Sequence, residues 1–172
     1  MTGPGLDIPD SLVLLAGFAL AHAAWSVSDL PAGELLVPLA VIEKDGRRQL
    51  LRFEAKTQEE AIAQAKAGLG QRQPELDAWA FVREGAMSRG TGKVDVLSVD
   101  AWAKGMGHPI TFVQEFSPYS SGAFRVTGDA LAVVDGRTLT GAEAARLVEK
   151  LYEGVRQHPK AGQLWPGWRI KR

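Results

Sequence analysis

The side chains that could do chemistry form a short inventory. His22, His108 and His158 are the only imidazoles, and cysteine is absent. That count excludes disulfides, thiolate metal sites, iron–sulfur clusters and cysteine nucleophiles. No two histidines have the i, i+4 spacing that lets one helix face grip zinc, so no metal ligands and no cofactor are expected. His22, Ser26 and Asp29 lie four and three apart and match a hydrolytic triad by residue type. On one helix they would project outward in parallel, whereas nucleophile and base must converge on one substrate atom. No G-x-S-x-G elbow occurs either. The simpler reading is that Ser26, Ser28 and Asp29 close a helix, with His22 half-buried and bonded to backbone.

Two further constellations bear residues of chemical interest. Arg89-Gly90-Thr91-Gly92-Lys93 resembles a phosphate cradle. A P-loop, however, needs glycine where Met87 stands and Ser or Thr where Val94 stands. A hairpin turn fits better. His108 and Glu115 are the other polar pair: His108 follows Gly107 at the start of a strand, and Glu115 alternates out toward solvent. His108 reads as a turn residue. No catalytic residue is assigned.

The most distinctive segment is 163–172, QLWPGWRIKR. Tryptophan with arginine is the composition of binding hot spots. Trp165, Trp168 and Arg169 are therefore binding candidates, together with His22 and His108. The competing reading folds both tryptophans back onto the chain's own sheet or last helix. Aromatics among basic residues can also stack on single-stranded nucleic acid. Yet Lys+Arg and Asp+Glu are both 20, so the net charge is zero and exerts no general pull on nucleic acid or anionic membrane. Neither is expected as a partner. Residues 1–86 carry 8 basic and 12 acidic side chains, and residues 87–172 carry 12 and 8, a polarity that could favour head-to-tail association.

The elements that must position these residues are legible from periodicity. Hydrophobic residues make up 45% and charged residues 23% of the 172, which argues against a disordered chain. One domain over 1–172 is expected, with a basic, Trp-containing tail at 159–172. Residues 11–25 are the most apolar window. They are short for a bilayer span and lack the basic flank of a signal peptide, so a buried helix in a cytoplasmic protein is expected. Residues 35–43 and 49–55 read as a hairpin around Asp45-Gly46. Pro38 suggests that the first strand lies at an edge or a bulge.

Thr57 to Glu60 reads as a capping box opening a helix at 58–69. Residues 78–83, 93–104 and 110–116 read as strands, the second with a bulge between Val96 and Leu97, and 124–134 holds one or two more. Thr140 to Glu143 reads as a second capping box, opening a helix that ends near Gln157.

The fold class expected is α+β: a single antiparallel sheet of five to seven strands with three helices, in the order α-ββ-α-βββ(ββ)-α. That element order resembles profilin-like and roadblock-type modules, which implies dimerisation or the scaffolding of partners. The functional expectation is a non-enzymatic interaction or scaffold module acting as a homodimer. The alternatives are a small hydrolase-like enzyme with a pocket near His22 and His108, and a ligand-sensing or chaperone-like module.

Overall fold

The computed structural model describes residues 8–170. The order is α1 (Asp10–Val27), β1 (Leu39–Lys44), β2 (Arg47–Arg52), α2 (Gln58–Arg72), β3 (Ala78–Arg89), β4 (Gly92–Ala103) and β5 (Ile110–Ser117). Then come β6 (Arg125–Val134), β7 (Arg137–Thr138), α3 (Gly141–Arg156), α4 (Ala161–Trp168) and β8 (Arg169–Ile170). Seven strands form one antiparallel sheet, as the sequence suggests; their spatial order is β2-β1-β3-β4-β5-β6-β7. The two-residue β8 adds in parallel to β6. A fourth helix, α4, occupies the segment read as a tail.

Local chemistry explains the boundaries. Asp45 and Gly46 both take positive φ, 52° and 75°, which a two-residue turn between β1 and β2 requires. Thr57 opens α2 by accepting from the Glu60 N–H at 3.1 Å. The second expected box does not form: Thr140 makes no side-chain cap, and Glu143 pairs with Arg146 instead.

Helix α1 is apolar on nearly every side because it is covered on nearly every side. The sheet lies under it through Val41, Ala80, Val99 and Phe112, and α3 lies over it through Leu147, Leu151 and Val155. It is long and apolar enough to cross a bilayer, yet most of it is buried inside this fold. The opposite face of the sheet is covered at one end by α2. There Ala65 and Leu69 pack on Trp79, Phe81 and Trp102. Each of these indoles donates its N–H, Trp79 to Gln73 and Trp102 to the Met106 carbonyl.

Two strand readings change. The apolar strand expected at an edge is internal: β1 pairs with both β2 and β3. Its apolar character on both faces reflects burial on both faces, as in a central strand. The expected bulge in β4 is also absent, for β4 pairs without a break from Asp95 to Ala101 on β5. Val96 and Leu97 point to opposite faces of an unbroken strand and are both buried. The register shift lies instead between β5 and β6, at Val113 to Glu115 opposite Gly128, whose φ is +67°.

Candidate interaction surface

The exposed rim of α1 places Phe18, His22 and Trp25 on one stripe, at i, i+4 and i+7. The rim runs beside β2, the edge strand. Arg48 stands over the Phe18 ring, 5.2 Å from its centroid, and pairs with Glu43 at 3.3 Å. Farther along, His22, Trp25, Leu35, Leu36, Leu50 and Arg52 line an open cleft of about 520 Å³.

The sequence suggests a His22 ring bonded to backbone; the ring meets another imidazole instead. His22 Nδ1 lies 3.0 Å from His158 Nε2. The hydrogen bonding assigns the tautomers. His158 Nδ1 accepts from the backbone N–H groups of Lys160 and Ala161, at 3.2 and 3.0 Å, at the start of α4. That nitrogen cannot also carry a proton, so in the neutral ring Nε2 carries it and donates to His22 Nδ1. His22 in turn holds its proton on Nε2. Phe18 and Trp25 enclose the pair, with ring centroids 5.1 and 5.8 Å from that of His158.

Burial holds the pKa of His22 below the ordinary value of 6.5, and the nearby Arg52 charge acts in the same direction. Burial lowers that of His158 as well, followed by the effect of His22. The unfolded chain therefore binds more protons than the folded one as pH falls below about 6.5, and stability declines from there down to the folded pKa values. The melting temperature is expected to fall between about pH 7 and about pH 5. His22→Gln, which takes no proton, should shrink that fall. An equal fall in the variant would contradict the coupling.

The other candidates are placed as follows. His108 is exposed in the turn between β4 and β5, and the cleft that His22 lines does not include it. Ser26 donates its hydroxyl to the His22 carbonyl at 2.8 Å, and Asp29 lies beyond the end of α1. No triad assembles from these three residues. Glu115 is mostly buried rather than solvent-facing and pairs with Arg89 at 2.8 Å. The tail docks on its own chain. Trp165 is buried, and Trp168 sits edge-on to Phe124 at 4.9 Å between centroids. Arg169 pairs with Asp129 and stands 4.7 Å from the centroid of Tyr152. Lys171 and Arg172 lie outside the described residues.

Sequence reasoning missed two features near these elements. One is the polar network at the β5–β6 irregularity. Gln114 is 1% exposed and donates to the carbonyls of Thr127 and Gly128, at 3.2 and 3.1 Å. Its Oε1 accepts from the Tyr152 hydroxyl at 2.7 Å, which accepts from the Ala130 N–H at 2.8 Å. Burial pushes the Tyr152 phenol above its ordinary value. Tyr152 also lines a groove of about 450 Å³ between β6 and α3, but its hydroxyl is fully engaged within the fold. The other feature is a small pocket of about 160 Å³ that brings Glu34, Glu84 and Asp95 together. Burial raises the Glu84 pKa, the Leu36 N–H it accepts works against that, and Asp95 adds to the rise.

The Phe18, His22, Trp25 spacing was the one legible signal for the α1–β2 surface; its partners come from β2 and from the start of α4, which only the fold brings together. No protein-family model, no curated protein and no solved structure matches the chain.

Proposed function

We propose that this chain is a non-enzymatic protein-interaction module, working in the cytoplasm, whose contact surface is the cleft between α1 and β2. One observation carries the reading: Trp25, Leu35 and Leu50 are 39%, 52% and 41% exposed, and all three line that one cleft. Single exposed apolar residues need no explanation, whereas a convergent set beside polar groups marks a contact site. The enzyme alternative has less support. His22 and His108 lie apart, the His22 ring is engaged by His158, and the Ser26 hydroxyl by a backbone carbonyl.

Self-association was expected from an apolar edge strand and a Trp-rich tail. With β1 internal and the tail docked, the α1–β2 cleft is the surface this reading assigns to association, and the three arginines of β2 favour a different protein as its occupant.

Peptide-display selection on the immobilised chain tests the reading, with a Trp25→Ser/Leu50→Ser variant as the second bait. Peptides should be enriched that hold the wild type and lose the variant by tenfold or more. Enrichment of peptides that hold both equally, or of none, would overturn it.

A further inference from the structure

We infer that the partner is an extended, acidic segment of another protein, which adds as a strand to the free edge of β2. This rests on the contact-surface reading above and specifies its ligand.

The first argument is backbone geometry. Across a two-residue turn the flanking residues, here Lys44 and Arg47, form a hydrogen-bonded pair. Residues 47, 49 and 51 then point their N–H and C=O groups inward to β1. The Phe53 N–H, which donates to the Pro38 carbonyl at 2.9 Å, continues the same alternation. Arg48, Leu50 and Arg52 consequently aim their backbone donors and acceptors away from the sheet. Among the described residues β2 is terminal in the sheet, and its residues are exposed apart from a half-buried Leu51. An unpaired row of this kind is a template for strand addition, in which backbone bonds supply affinity and side-chain pockets supply selectivity. Arg48, Leu50 and Arg52 also turn their side chains toward the α1 face, so alternate residues of an added strand would meet Trp25 and Leu35.

The second argument is charge. β2 reads RRQLLR, with three arginines and no acid; on the α1 side Glu43 pairs with Arg48 and Glu34 is the one acid lining the cleft, against His22 and Arg52. On the other side of the edge, Lys44, Arg47, Arg48 and Arg72 line a second cleft of about 510 Å³, in which Asp45 is the one acid. Opposite charges across a strand pair stabilise it, and like charges directly opposite destabilise it. An antiparallel pairing of β2 with a second copy through its outward residues, centred on Leu50, would set Arg48 against Arg52 twice. The arginines therefore disfavour a second copy of this edge and favour an acidic strand.

The test is fluorescence anisotropy on the full chain with two labelled eight-residue peptides, alternating Glu with Val and Lys with Val. The Glu peptide should bind, more weakly as salt rises, and the Lys peptide should not. Leu50→Pro removes an outward N–H and no ladder bond, so the melting temperature should hold while binding of the Glu peptide falls tenfold or more. Arg47→Glu/Arg52→Glu should weaken the Glu peptide at least tenfold and admit the Lys peptide.

Equal binding of both peptides, or a Glu peptide indifferent to Leu50→Pro and to the charge reversal, would overturn strand addition. So would a dimer by light scattering that Leu50→Pro abolishes. Flotation with phosphatidylserine vesicles in the absence of peptide binding would point to a membrane and overturn it as well. Display-selected peptides that need Trp25, yet carry no acids and tolerate Leu50→Pro, would leave the contact surface standing and remove the strand.

Discussion

Gly17→Ala and Gly154→Ala are each expected to destabilise the fold by at least about 3 kcal/mol, a large share of the 5–15 kcal/mol typical of a domain. At Gly17 and Gly154, α1 crosses α3 backbone to backbone. A Cβ on Gly17 would stand 1.9 Å from the Leu151 carbonyl oxygen, and one on Gly154 would stand 2.2 Å from that of Leu14. A side chain could swing away from such a contact, but a helical backbone moves only if the whole helix moves. The two helices run side by side, tied near one end by Asp10 and Arg146 and near the other by His22 and His158. Forcing them apart would therefore pull on the histidine pair and on the rim of the proposed contact surface. Gly68→Ala is the control. That glycine lies within α2 with open space around its would-be Cβ, so alanine should add about 0.5–1 kcal/mol through helix propensity. Urea unfolding reads all three; a Gly17→Ala variant as stable as wild type would refute the crossing.

The second large effect is expected from Tyr152→Phe. The phenol serves two partners at once, the Ala130 N–H and the Gln114 side chain. Removing it strands a backbone donor and an amide oxygen in the interior, at about 1–3 kcal/mol each. Gln114→Leu strands the Thr127 and Gly128 carbonyls and should cost a similar amount. Because both variants break one network, the double variant should lose less than the sum, by at least about 1 kcal/mol. Strict additivity in urea unfolding would show that the two side chains act separately.

What the sequence disclosed depended on the range of the interaction that fixes each feature. The Asp45-Gly46 turn and the Thr57 cap are decided within four residues, and both were readable. Helix α1 was readable as buried because no face of it is polar. The place of β1 was not, for an apolar run looks the same whether a strand is internal or terminal, and the insertion of β1 between β2 and β3 is a matter of non-local pairing. The same limit hid the histidine pair, whose members are 136 residues apart, and the meeting of Gly17 with Gly154. The tail left two readings open for a different reason. Trp and Arg compose an exposed hot spot and an internal clasp equally well, and here Trp165 and Arg169 form the clasp.

Hydrogen–deuterium exchange of the full chain, with and without a peptide selected on it, bears most directly on the contact surface. Added peptide should slow exchange at the outward amides of Arg48, Leu50 and Arg52, with little change in the groove between β6 and α3. Protection confined to that groove or to α4, with the β2 amides exchanging as freely as before, would contradict the account.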